Sequence, residues 1–200
     1  VEGVKRLVKL DPSAVNAKNV RGETPLLVAA SMGNTEIIKL LVLAGSCLES
    51  ENKFGMTPLL ASIESNEYDG SLLIIDLGAD VNHSSPFFGA PLHRASFYNN
   101  HEILAILLQK GATTEVRNRT QKTPLHEAAR MGAVECTKIL LEKNADVNAI
   151  DIKGRTPIHY SIMAGIDLHD QNHSDTLAAL LVQHGANHSA VDSSNATPLV

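Results

Sequence analysis

The sequence predicts an all-α repeat solenoid, and three observations carry that reading. Six of the eight prolines, Pro25, Pro58, Pro91, Pro124, Pro157 and Pro198, are spaced by 33, 33, 33, 33 and 41 residues, and a fixed period of this size marks a repeat architecture. Five of them follow a threonine (Thr24, Thr57, Thr123, Thr156, Thr197) and the sixth follows Ala90. Threonine is a good helix N-cap, and proline suits the first helical position because its missing N–H would be an orphan there. Finally, the chain is 44% hydrophobic yet holds four Phe, three Tyr and no Trp, so its interior is built from aliphatic side chains in many similar layers.

Each element follows in order. The first helices read TPLLVAASMG, TPLLASIESN, APLHRASFYN, TPLHEAARMG and TPIHYSIMAG, with apolar residues at three- and four-residue spacing. They are expected to stop at Gly33, Asn66, Asn99 or Asn100, Gly132 and Gly165, because Gly and Asn best accept the left-handed C-terminal position. A second helix follows in each unit, carried by Ile37, Ile38, Leu40 and Leu41 in one copy and Ile103, Leu104, Leu107 and Leu108 in another. These end at Gly45, Gly78, Gly111, Asn144 and Gly185. Between units lie segments such as ADVNAIDIKGRTP, too short for another helix and rich in turn residues, which read as projecting hairpins.

The runs GETPLLVAA, GMTPLLAS, APLHRAS, KTPLHEAA and GRTPIHYS, with LLVLAG, IIDLGADVN, LLQKGA, LLEKNADVN and LLVQHGA at the second-helix ends, resemble the ankyrin repeat family over almost the whole chain. The resemblance implies stacked helix-turn-helix repeats with β-hairpin fingers and no catalytic centre of their own. The register places a partial repeat at 1–18, full repeats at 19–51, 52–84, 85–117, 118–150 and 151–191, and the start of a truncated repeat at 192–200. One such unit cannot bury its apolar face alone, so neighbours must cover it. Val4, Leu7 and Val8 at one end and Pro198, Leu199 and Val200 at the other lack partners in this register, so the chain is expected to be a fragment of a longer array.

Three departures stand out. Gly70 replaces an aliphatic residue early in a second helix, which costs roughly 0.5–1 kcal/mol of helix stability. The run Ser85-Pro86-Phe87-Phe88-Gly89-Ala90 replaces the usual Asn-x-x-Gly-x-Thr, losing the threonine cap and altering the finger. The 41-residue spacing places an eight-residue insertion near 166–174, expected to lengthen one turn between helices.

Composition narrows the function. A net charge of −5 argues against nucleic-acid binding by phosphate neutralisation, and no apolar run approaches the ~18 residues of a membrane span. No cleavable signal pattern opens the chain. Cys47 and Cys136 form no CxxC pair, so a reducing, cytoplasmic compartment is the default; five Asn-x-Ser/Thr triplets, at Asn82, Asn118, Asn172, Asn187 and Asn195, keep a secreted origin open. There is no GxxxxGK[ST], no GxGxxG after a strand and no GxSxG, so an enzyme has no motif to stand on, and no cofactor is expected. His169 and His173, beside Asp167, Asp170 and Asp175, form the one arrangement with metal-ligand spacing, and a solvated turn is the favoured reading of it.

By resemblance, His93, His126 and His159 tie adjacent repeats together, and partners bind along finger tips and the exposed face of each first helix. On this sequence those positions gather Phe54, Met56, Phe87, Phe97 and Tyr98 in the second and third repeats, with Arg117, Arg119, Arg130 and Met131 beside them. Aromatic, Met and Arg side chains are the enriched anchors of protein interfaces. Residues 46–82 carry Lys53 against seven acidic residues, whereas residues 85–122 carry five cations against two acids, an asymmetry that orients a partner. The expectation is a non-enzymatic scaffold or adaptor that holds an extended or helical protein segment with apolar and acidic residues. The rivals are a structural segment of a secreted toxin or channel-like protein, and the substrate-recruiting arm of a larger enzyme such as a kinase or ubiquitin ligase.

Overall fold

The computed structural model describes residues 2–167 and 171–198. Among these the regular elements are helices, and the fold is of the all-α repeat class that the proline period predicts. After α1 (Glu2–Leu10) and a 3-10 turn (Pro12–Asn16) come the pairs α2 (Pro25–Ser31) and α3 (Thr35–Leu43), α4 (Pro58–Glu64) and α5 (Tyr68–Asp76), α6 (Pro91–Phe97) and α7 (His101–Gln109), α8 (Pro124–Arg130) and α9 (Val134–Glu142), and α10 (Pro157–Asp167) and α11 (Gln171–Gln183). Every first helix of a pair opens on its proline.

The caps explain the boundaries. Thr24 and Thr57 each accept, through the hydroxyl, the amide of the residue three positions on, Leu27 and Leu60, at 3.3 Å. Asn34 and Asn100 cap α3 and α7 through the amides of Ile37 and Ile103 at 3.0 Å. Four first helices are followed by a left-handed residue at the expected place: Gly33, Asn66, Asn99 and Gly132 have φ between 53° and 67°. The second helices stop as expected too, at Gly45, Gly78, Gly111, Asn144 and Gly185, all with positive φ.

The fifth pair differs from expectation. Instead of stopping at Gly165, α10 runs on to Asp167 and has 11 residues where α2, α4, α6 and α8 have 7. Likewise α11 has 13 where α3, α5, α7 and α9 have 9. The two helices thus take up the inserted residues, four in each, and the expected longer turn is not formed: three residues separate them, as in the other pairs. One glycine costs about 1 kcal/mol in a helix, less than the added hydrogen bonds and packing of a continuing helix can offset. Residues 168–170 and the side chain of His173 lie outside the described residues, and with them the His169/His173 arrangement. The same holds for the side chains of Val4, Leu7 and Val8, and for Leu199 and Val200.

The fingers close as tight turns, and the only β-type pairing among the described residues is an isolated antiparallel bridge between Ser85 and Gly89. In the finger at 118–122, Asn118 Oδ1 accepts the amides of Thr120 and Lys122 at 3.0 and 3.1 Å while the Asn118 amide donates to the Lys122 carbonyl. Asn19, Asn52, Asp151 and Asp192 repeat this arrangement.

The chain divides into two compact units, residues 1–91 and 92–200. In the first, α2 packs against α3 and α4, and α5 against α3 and α4, around Leu26, Ile38, Leu59, Leu60, Ile63 and Ile74, each at most 1% exposed. In the second, α8 packs against α9 and α10, α7 against α9, and α11 against α9 and α10, around Leu92, Ile103, Leu104, Leu107, Leu125 and Leu140. Gly70 belongs to the first core: a Cβ there would stand 3.3 Å from the Gly33 Cα and 3.7 Å from the Ala30 carbonyl oxygen. The residue that looks like a weak helix former lets α5 approach the C-terminal end of α2.

Candidate functional site

In the first unit the fingers hold the apolar candidates out. Asn52 Oδ1 accepts the amides of Phe54 and Met56 at 2.9 and 3.1 Å, which fixes Phe54 at the tip, 51% exposed, with Met56 half-buried behind it. In the next finger Ser85 takes the place of asparagine. Its hydroxyl accepts the amides of Phe87 and Phe88 at 3.3 Å and donates to the Phe54 carbonyl at 3.0 Å. Phe87 is therefore carried beside Phe54, 65% exposed, with ring centroids 6.3 Å apart in an edge-to-face arrangement. Phe88 is half-buried. The same unit contains an apolar groove of about 590 Å³ lined by Pro25, Val28, Met32, Ile37 and Leu41, with Lys18 and Glu23 at its edge. The positions one repeat later that match Val28 and Leu41, Ala61 and Ile74, are buried.

The second unit gathers most of the remaining candidates. Phe97 is half-buried at the end of α6 and Tyr98, the next residue, is 38% exposed, with the two rings 5.1 Å apart, edge to face. Arg94, one turn earlier, lays its guanidinium 4.5 Å from the Phe97 ring centre and 5.0 Å from that of Tyr98, and donates to the Tyr98 hydroxyl at 3.1 Å. Arg130, at the end of α8, approaches Phe97 at 5.7 Å. Phe97 is thus approached by two guanidinium groups, whose attraction to the ring face is electrostatic. Arg130 also lies 3.6 Å from the buried Glu127 carboxylate, which Lys122 approaches at 3.7 Å and the Asn118 amide at 3.3 Å. Met131 is half-buried and Arg119 is exposed on its finger. Arg117 stands apart: its Nη1 donates to the Gln121 carbonyl at 3.0 Å and to the Ile150 carbonyl at 2.6 Å, bracing two successive fingers.

The three histidines reach between repeats. His126 Nδ1 accepts the Thr123 amide at 3.1 Å and the Thr123 hydroxyl at 2.9 Å, so the proton sits on Nε2, which donates to the Arg155 carbonyl at 3.0 Å. His159 does the same with Thr156 and the Ala196 carbonyl, at 3.3 Å. His93, with no threonine before it, donates from Nε2 to the Lys122 carbonyl at 2.9 Å. Burial pushes the His126 imidazole down to about 4, despite the Arg155 carbonyl and the Asp151 charge.

Sequence reasoning missed two features. Tyr160 is one: it is 6% exposed, its ring edges His126 at 5.8 Å and lies beneath the Lys122 ammonium at 4.6 Å, and its hydroxyl donates to Asp151 at 2.7 Å. Burial, then the Asp151 carboxylate, raises the phenol to about 12. Burial works to raise the Asp151 carboxyl as well, but the Tyr160 hydroxyl and the Arg155 and Lys153 amides outweigh it and hold the group below its usual value. Further on, the Ser194 hydroxyl first, then the Ala196 amide, hold the Asp192 carboxyl far below its usual value, and Arg155 pairs with it at 3.2 Å. The second is Arg94, which had a signal: it precedes Phe97 and Tyr98 by three and four residues, the spacing at which helical side chains meet.

A family model described as ankyrin repeats, in three copies, matches residues 1–85 and 92–192. No curated protein matches the chain. Among the described residues no helix is long and apolar enough to cross a membrane.

Proposed function

The chain belongs to the ankyrin repeat family, whose repeats are general protein–protein interaction modules, and from that premise we propose that it is a non-enzymatic adaptor or scaffold holding a segment of another protein against Phe97 and Tyr98. The observation that carries this reading is the arginine-aromatic cluster itself. Arg94 fixes both rings while leaving Tyr98 accessible, so the surface is ordered before a partner arrives and little side-chain entropy remains to be lost on binding. Met131, Arg119 and Arg130 extend it. The partner segment presents an apolar side chain to the rings and carboxylates to Arg119 and Arg130. Arg117 is set aside as a brace. His93, His126 and His159 fasten successive repeats so that the surface keeps its geometry. Two unpaired thiols, Cys47 and Cys136, suit a reducing, intracellular compartment.

The test is partner capture from the source cells by the intact chain and by the Phe97→Ala/Tyr98→Ala double variant, read by mass spectrometry, with circular dichroism as the check on folding. A hot-spot loss of ~2 kcal/mol or more per anchor corresponds to a fall in affinity of roughly 30-fold or more. Partners retained at full affinity by the folded double variant would refute the placement.

A further inference from the structure

Glutamate is almost never buried unless it is paired, and Glu127 in α8 is only 8% exposed. It precedes Arg130 by one turn, as Arg94 precedes Phe97 in α6, and the same repeat position reads Val28 and Ala61 in the first unit. An apolar residue serves the fold there, so the carboxylate answers a different need. Its two oxygens have different surroundings. Oε1 accepts from the Asn118 amide at 3.3 Å and lies 3.7 Å from the Lys122 ammonium. Both of those groups are fixed: Asn118 Oδ1 is spent on the finger amides of Thr120 and Lys122, and the Lys122 ammonium also lies 4.6 Å over the Tyr160 ring. Oε2 receives no hydrogen bond from the described residues and is met by the Arg130 guanidinium, with Nη1 at 3.6 Å. That guanidinium is in turn 5.7 Å from the Phe97 ring centre.

Two cations share one carboxylate here, so a positive charge is left over. It falls to Arg130, whose side chain is 49% exposed against 15% for Lys122. An unheld arginine samples many rotamers, and fixing it costs entropy that a partner must offset. Arg130 held by Glu127 has already lost part of that freedom, and it keeps other N–H donors for an incoming carboxylate. We propose that Glu127 is a positioning residue of the partner surface: fixed by the finger at 118–122, it keeps Arg130 over the Phe97 ring, so that ring and cation meet a partner as one preformed unit. The inference rests on the reading of Phe97 and Tyr98 as the partner surface and adds the residue that fixes Arg130 there.

Side-chain NMR of the isotope-labelled intact chain reads Arg130 directly, through its Nε–Hε group, and needs no ligand. The wild-type signal should carry a ring-current shift that disappears in Phe97→Leu. Glu127→Gln keeps the shape and removes the charge; it should return the signal toward that of a free arginine and speed rotation about the Nε–Cζ bond. An Arg130 signal that ignores Glu127→Gln overturns the inference. Partner capture gives the second reading, on variants whose circular dichroism and melting show them folded. Glu127→Gln should lower affinity for the captured partner roughly threefold or more, and lower it no further where Arg130 is already changed to alanine. Equal losses with and without Arg130 give Glu127 a structural role only, and no loss in either background leaves it outside the surface; each result overturns the inference. The two readings part cleanly. Capture indifferent to Phe97→Ala/Tyr98→Ala sinks the placement at those rings. Capture that depends on them, beside an Arg130 signal unmoved by Glu127→Gln, sinks this inference alone.

Discussion

His126 shows how one residue couples local chemistry to the stack. Its two ring nitrogens are both engaged, one with its own helix cap and the other with the next finger, and it is fully buried. A depressed native pKa of about 4 against 6.5 in the unfolded chain means that between those values the unfolded state binds a proton and the native state does not. Stability therefore rises with pH across that window. The contribution is fully present above pH 6.5, falls by about 3 kcal/mol as pH drops to 4, and is flat below. Urea unfolding at pH 7.5 and 4.5 should show the fall, and His126→Gln should remove most of that difference while lowering stability at both; an unchanged difference would assign it to other groups. Tyr160 gives a second test. Removing its hydroxyl in Tyr160→Phe takes one bond from the Asp151 carboxylate, worth roughly 1.5–3 kcal/mol for a charged acceptor, and Asp151 should titrate higher by NMR. The TPLH motif made the histidine position legible in the sequence. Nothing in TPIHYS distinguishes a buried tyrosine from an exposed one, because its burial depends on Lys122 and His126 of the previous repeat.

At the scale of elements, the sequence located helix starts and most stops because those are set by one or two residues: a threonine or asparagine side chain at the start, a left-handed Gly or Asn at the end. It misplaced the end of α10 because a stop at Gly165 is a local preference that a continuing helix can override. Gly70 was read as a helix weakness, whereas its neighbours give it a packing role. The difference is measurable. Gly70→Ala gains up to about 1 kcal/mol of helix propensity but sets a Cβ 3.3 Å from the Gly33 backbone, so the two effects nearly offset. Gly70→Leu, the residue type the repeat register calls for, cannot fit without moving α2 from α5 and should cost about 1–3 kcal/mol. A thermal melt in which Gly70→Leu equals or exceeds the wild type would show that the close approach is not needed. Arg117 is judged at this scale as well: it braces two fingers through Gln121 and Ile150, so Arg117→Ala should lower stability by roughly 1.5–3 kcal/mol while leaving the surface at Phe97 and Tyr98 in place.

In the whole molecule, stability accumulates from each helix pair and its neighbours. Within the units, α3 packs on α5, and α9 on α7 and α11, and the linking polar groups recur in register. Asn16 accepts the Cys47 amide and donates to the Gly45 carbonyl, Asn148 does the same with Asn187 and Gly185, and Glu49 and Glu115 each accept an amide from the turn that follows, Asp80 and Asp146. These asparagines and glutamates were visible in the sequence only as turn residues, since their partners are 29 to 39 positions away. A stack held by nearest neighbours transmits a core defect locally. Leu140 is completely buried in α9, so Leu140→Ala should cost about 2–5 kcal/mol through lost burial and the cavity left behind. Amide hydrogen exchange should then rise across α9 and the helices that pack on it, α7, α8 and α11, while α2 and α3 keep protection close to that of the wild type. Equal loss of protection in α2 and α3 would mean instead that the two units unfold as one.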